Sequence, residues 1–201
     1  KQTKRVMSFK NVKLLGDHNR QNILAAIIVA KLLGITNKNI AKAVNKFKGV
    51  DYRLEYKGKK NNTEIFNDST STTPDATLAA IRALVDRSIV LLAGGEDKQL
   101  EYKDLAKEIK KRVNFLILLP GSASEKLIKE LRLINFPSYQ MLSGIDDLAV
   151  AYDLAFKYST GQKKAILFSP AAASFNMFDN EFDRARQFDK LINGDTKKAK
   201  K

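Results

Sequence analysis

The chain has 201 residues, no cysteine and one histidine, His18, which excludes disulfides, thiolate metal sites and any mechanism needing two histidines. Hydrophobic residues make up 44% and charged residues 29%, the balance of an ordinary folded domain with enough length for a sizeable core. The net charge of +14 sits partly at the two ends, on Lys1, Lys4, Arg5, Lys10 and Lys13 and on the run TKKAKK, and the rest lies beside acids as in KDLAKEIKKR. No basic stripe with interleaved aromatics accompanies it, so nucleic acid is not an expected partner.

No apolar run approaches the roughly 18 residues of a membrane span. No apolar segment follows the basic opening KQTKRVMSFKNVK, as a secretory signal would require. The expectation is a cytoplasmic chain with no membrane insertion and no obligate protein partner. It opens on Lys1 and reads as part of something longer.

In chain order, HNRQNILAAIIVAKLLG places apolar residues at helical spacing and stops at Gly34. ITNKNIAKAVNKFKG predicts a second helix, opened by Thr36 or Asn37 and closed by Gly49. DYRLEYKG and NTEIFND are β-type runs around the turn-rich KGKKNN, a hairpin signal. Regular alternation follows. TPDATLAAIRALV predicts a helix with Thr73 as cap and Pro74 in its first turn. SIVLLAGG predicts a buried strand, EYKDLAKEIKKRV a helix and NFLILLPG a strand. SASEKLIKELRLI predicts a helix capped by Ser122 or Ser124, and PSYQML a weak strand. GIDDLAVAYDLAFKYS, KKAILFSP and NEFDRARQFDKLIN complete the series as helix, strand and helix. The fold class is therefore α/β: a Rossmann-like, mostly parallel sheet with helices on both faces and an N-terminal β-hairpin, preceded by a short helical segment. The boundary falls near Gly49, giving residues 1–48, residues 49–194 and a basic tail over 195–201.

In an open α/β sheet, ligands bind beyond the carboxyl ends of the strands. Three strand exits carry unusual polar loops: DSTSTTP, GGEDKQ and SPAAASFN. Asp68 offers an acceptor, and Ser69 through Thr73 offer neutral donors. Gly94 and Gly95 permit a sharp turn, and Lys98 is a point charge suited to a carboxylate or phosphate. Ser174 lies near the start of the last helix. Each loop alone is also explained as a helix cap, a turn or an ordinary strand exit. Parallel strands would set all three on one rim and make a site for a small anion. No GxGxxG, P-loop or nucleophile-elbow pattern occurs.

The ordered motifs carry a resemblance. DHNRQN resembles the H-N-x-x-N helix of the Mur ligase family, and FKGVDYRLE its F-x-G-x-x-H-R-x-E stretch. NDSTSTTPDAT is similar to N-D-S-K-A-T-N-P-x-A-T, and LAGGEDKQLEY to G-G-x-D-K-G. LFSPAAASFNMFDNEFDRARQF is similar to the closing S-P-x-x-A-S-x-D-x-F…R-G-x-x-F motif. The resemblance runs over residues 14 to 193, and the N-D-S and G-G-x-D-K forms are those of the family's D-glutamate-adding branch. It implies an ATP-dependent ligase of peptidoglycan precursor synthesis, using ATP and Mg2+. The family has three domains: one for the UDP-sugar, a central ATPase carrying the P-loop, and a C-terminal Rossmann-like domain for the amino acid. Residues 1–48 would be the end of the central domain and residues 49–194 the third. The substrate's alanine carboxylate, on UDP-N-acetylmuramoyl-L-alanine, would become an acyl phosphate that the amine of D-glutamate attacks. Asn22 would contact the adenine end of ATP, and Arg53 and Asp68 would reach the nucleotide. Thr72, Lys98 and Ser174 would bind D-glutamate, with Phe175 lining the pocket. The resemblance places no catalytic residue and no metal ligand in this chain, and without a P-loop the chain alone is expected to be inactive. Four positions depart from the family pattern: Tyr52 for His, Thr70 for Lys, Gln99 for Gly and Ala185 for Gly. A Mur ligase for another amino acid and a non-catalytic polyanion-binding module are the alternative readings.

Overall fold

The computed structural model describes residues 5–143, 147–174 and 177–194. The chain divides into two compact units, Lys1–Val50 and Asp51–Lys201.

The first unit holds α1 (Asp17–Leu32) and α2 (Asn37–Lys46), with a 3₁₀ turn at Phe9–Asn11 ahead of them. Thr36 caps α2, its hydroxyl accepting from Asn39 N–H at 3.3 Å, which decides between the two expected caps. Ile23, Ile27 and Ile40 form a small core, covered by Val6, Met7, Phe9, Val12 and Leu14. Leu24, Ile28 and Leu32, on the rest of α1, are exposed.

The second unit runs β1 (Glu55–Lys60), β2 (Thr63–Asn67), α3 (Pro74–Ala83), β3 (Ser88–Gly94), α4 (Lys103–Arg112), β4 (Val113–Leu119), α5 (Ser122–Leu133), β5 (Tyr139–Met141), α6 (Asp147–Tyr158), β6 (Lys164–Phe168) and α7 (Glu181–Asn193). The sheet order is β1-β2-β6-β3-β4-β5. β1 is antiparallel to β2, and every other pairing is parallel. The expected α/β class, parallel sheet and N-terminal hairpin are all present.

Both faces of the central strands are buried, which explains their unbroken apolar runs. Val90, Leu92, Ile117, Ile166 and Phe168 pack with Tyr152 of α6 and Phe188 of α7. Leu91, Ala93, Leu116, Leu118 and Leu167, the alternate residues, are equally buried. Phe188 meets Phe168 at 4.6 Å and Tyr152 at 5.7 Å between ring centroids.

Local chemistry moved several boundaries. Residues 51–54 form a turn, not the start of a strand, because Tyr52 (φ 62°) and Leu54 (φ 45°) take left-handed backbone. The expected turn KGKKNN shrinks to Asn61 and Asn62, at φ 49° and 60°, the two-residue hairpin turn that asparagine tolerates. A bulge between Tyr56 and Gly58 bends β1. Neither Ser122 nor Ser124 caps α5. Gly121 precedes that helix at φ 143°, while the Ser122 hydroxyl turns to Glu96 and the Ser124 hydroxyl donates to Leu119 O. Thr73 does cap α3, accepting from Ala76 N–H at 3.4 Å, with Pro74 as its first residue.

The order places β6 between β2 and β3, so the chain passes over that slot and later returns to fill it. The exits of β2, β6 and β3 are thereby neighbours at the carboxyl rim, at a topological switch point. Because Phe188 fills the junction of α6, α7 and β6, Phe188→Ala is expected to destabilise the second unit by about 3–5 kcal/mol, read from urea unfolding.

Candidate functional site

The loop after β2 is built from buried polar groups. Asn67 Oδ1 accepts from Ser69 N–H at 3.1 Å, while its amide donates to Ala185 O at 3.1 Å and Asp189 Oδ1 at 2.9 Å. Asp68 accepts from Leu54 N–H at 2.7 Å and from the Ser169 hydroxyl at 2.6 Å. Both carboxylate oxygens are thus engaged inside the fold. Burial pushes its pKa up to about 6, against the lowering effect of these hydrogen bonds and of Arg53. Arg53 itself is exposed on the turn that Asp68 holds. Thr70 donates from its hydroxyl to Tyr52 O at 2.8 Å and from its N–H at 3.2 Å, fastening the same turn.

The loop after β3 approaches its neighbours too closely for side chains. A Cβ on Gly94 would lie 2.5 Å from Leu119 O, and one on Gly95 would lie 2.2 Å from Ala173 O. Gly95 leads into an antiparallel bridge, Glu96 N–H to Ala173 O at 3.1 Å and Ala173 N–H to Glu96 O at 3.0 Å. Asp97 accepts from Leu100 N–H at 3.2 Å and pairs with Lys126 at 3.3 Å, which fixes the turn carrying Lys98. Lys98 Nζ then donates to Thr72 Oγ1 at 3.0 Å. Gln99, where the family pattern has Gly, sits at φ 61°.

The loop after β6 completes the rim. Ala171 N–H donates to Ser71 O at 3.0 Å, and Tyr102 donates to Ala171 O at 3.1 Å. Ser174 is buried, and its hydroxyl finds no hydrogen-bond partner among the described residues.

The structure therefore brings Thr72 and Lys98 into contact and joins the loop of Ser174 to the loop of Lys98. Arg53 and Asp68 meet at the adjoining turn. Asn22 is exposed on α1 of the first unit, and Phe175 lies outside the described residues. Beside the rim, Thr73, Asp75, Leu100, Glu101 and Lys103 border a cleft of about 440 Å³. Among the described residues no three His, Cys, Asp or Glu side chains are grouped to hold a metal ion, and no helix is long and apolar enough to cross a membrane.

The quoted motifs contain Ser169, Asp97 and Arg184, but the sequence reading gave none of the three a role. Arg184 is fully buried and donates to Ser69 and Ala172. Its signals were its place as the Arg of the R-G-x-x-F match and its spacing four positions before Phe188 on the last helix.

A family model for the Mur ligase glutamate ligase domain matches residues 52–172, the segment from the Tyr52 turn to the loop after β6. The chain belongs to the Mur ligase family. It is 39% identical over 197 residues to a UDP-N-acetylmuramoylalanine--D-glutamate ligase of Trichodesmium erythraeum, covering 98% of this chain and 42% of that protein. It is 40% identical over 182 residues to one from Roseiflexus sp., covering 90% of this chain and 38% of the relative. The chain spans about two fifths of the length of these relatives. Among solved structures, the UDP-N-acetylmuramate-alanine ligase of Thermotoga maritima superposes with a TM-score of 0.66 at 16% identity, over 92% of this chain and 40% of that one. The same organism's MurF ligase, solved in complex with ADP, gives 0.60 at 18% identity, over 87% and 38%. These Mur ligase structures share the fold.

The raised pKa of Asp68 has a sign. Its folded value, about 6, exceeds the ordinary 3.8, so ionisation opposes folding. The contribution is present in full below pH 3.8 and is lost as pH rises through about 6. Urea unfolding between about pH 4 and 7 is expected to show a decline of up to about 3 kcal/mol, and Asp68→Asn to remove it.

Proposed function

We propose that this chain supplies the amino-acid site of an ATP-dependent ligase that joins D-glutamate to UDP-N-acetylmuramoyl-L-alanine in peptidoglycan precursor synthesis. The observation that carries the reading is the Lys98 ammonium held 3.0 Å from the Thr72 hydroxyl on the carboxyl rim. A cation beside a neutral donor suits a carboxylate. The buried Ser174 hydroxyl, lacking a partner among the described residues, offers a further donor on the bridged loop. The names of the relatives favour D-glutamate as the amino acid.

In this reading residues 1–48 end a central ATP-binding domain, residues 49–194 form the amino-acid domain and residues 195–201 are a basic tail. The γ-phosphoryl group of ATP passes to the alanine carboxylate. The amine of D-glutamate then attacks the acyl carbon, forming the C–N bond as the C–O bond to phosphate breaks. Thr72, Lys98, Ser174 and Phe175 hold the amino acid. Arg53, a planar cation on an exposed turn, faces the nucleotide, with Asn22 toward its adenine end. Asp68 serves that side by fixing the turn through Leu54 N–H. Mg2+ would accompany the ATP, with its ligands mainly in the central domain. The setting is the cytoplasm, where ATP and nucleotide sugars are available.

D-Glutamate is expected to bind this chain in an NMR titration, and Lys98→Met to weaken binding roughly ten- to a hundredfold, the loss of a charged hydrogen bond. Equal binding by the variant, or a preference for a neutral amino acid, overturns the assignment. The chain alone is expected to release no phosphate from ATP, since it contains no GxxxxGK[ST] pattern. Sustained phosphate release in a colorimetric assay contradicts that division of labour.

A further inference from the structure

Arg184 projects from α7 into the interior with no solvent exposure. Its hydrogen bonds go to two loops, and among the described residues none goes to a carboxylate. Nε donates to the Ser69 hydroxyl at 3.0 Å, and one terminal nitrogen donates to Ser69 O at 2.8 Å. Both terminal nitrogens donate to Ala172 O at 3.2 Å. Burial lowers its pKa to about 10, and Glu181 opposes that only through space. The group therefore stays charged at neutral pH.

The two loops it joins carry the proposed amino-acid site. Ser69 lies three residues before Thr72, and Ala172 two residues before Ser174. A guanidinium is planar and its donors point in fixed directions, so it sets the separation of the carbonyls it binds. A single ammonium cannot span them in the same way. Among the described residues the buried charge is hydrogen-bonded only to neutral dipoles, and Glu181 offsets it only through space, so a positive potential remains behind the rim, where a low dielectric extends its reach.

We infer that Arg184 is a positioning residue for the amino-acid site. Its fork fixes the spacing of the Thr72 and Ser174 loops, and its unpaired charge biases the rim toward an anionic amino acid. This rests on the D-glutamate reading above.

The test is an NMR titration of the chain with D-glutamate, well below the melting temperature, for the parent, Arg184→Lys, Ser69→Ala and Phe188→Leu. Arg184→Lys keeps the charge and loses the fork, and is expected to weaken binding about tenfold. Ser69→Ala removes one of the four contacts, together with the bond from the Ser69 hydroxyl to Glu181 O at 3.1 Å, and is expected to weaken binding about threefold. Phe188→Leu, a core change on the same helix, is expected to lower the melting temperature and leave the affinity unchanged. In the full-length ligase, Arg184→Lys should raise KM for D-glutamate and leave KM for ATP as it was. The inference is overturned if folded Arg184→Lys and Ser69→Ala bind as tightly as the parent. It is also overturned if Phe188→Leu weakens binding as much, which would mark a general loss of packing. No binding by the parent overturns the amino-acid site itself, and this inference with it. A parent that binds beside variants that bind equally leaves the site standing and removes only Arg184.

Discussion

The seating of β6 between β2 and β3 is the constraint on which the rest of the second unit depends. Its backbone is bonded on both sides in parallel register, Ile166 facing Ile65 on one side and Val90 on the other. Strands packed this way must send their exits out along one edge. The loops starting at Asp68, Gly95 and Ser169 then lie within hydrogen-bonding distance of one another. The bridge between Glu96 and Ala173 and the bond from Ala171 to Ser71 are the result. The glycines follow from the same constraint, because Gly95 lies where a side chain would collide with the Ala173 carbonyl.

Behind that rim the fold buries polar groups that an apolar core would avoid. Asn67, Asp68, Ser69, Thr77, Ser169 and Arg184 are all buried. Each finds partners in the others or in loop backbone, which keeps the desolvation cost tolerable and gives the loops one arrangement. The network also explains why the loops need no regular secondary structure. Asp68 holds Leu54 and Ser169, Thr70 holds Tyr52, and Arg184 holds Ser69 and Ala172. Thr70 illustrates how a departure from the family pattern is absorbed, its hydroxyl turning inward to a backbone carbonyl.

A division of labour results. The groups suited to a ligand, Arg53 and Lys98, are exposed, and Thr72 is half-buried beside Lys98. Of the groups that fix them, Asp68 and Arg184 are buried, while Thr70 and Asp97 are half-buried. Preorganisation of this kind places the ordering cost in folding and leaves little of it for binding.

The sequence by itself determined the α/β class, the hairpin and the run of helices and strands. Their signals are local: apolar spacing, Gly34 as a stop, Thr73 with Pro74 as a start. It also led to the expectation, through the family resemblance, that Thr72, Lys98 and Ser174 serve one site. Tertiary structure alone decided the slot of β6, since strand order depends on how helices pack across the sheet and leaves no local mark. It decided the caps of α5 as well, where Ser122 and Ser124 form other bonds because neighbouring loops offer nearer partners. Above all it decided what Asp68 and Arg184 do. The sequence reading took Asp68 for a group that reaches the nucleotide and gave Arg184 no role, and only the packed molecule shows that both are buried and hold the loops of the rim.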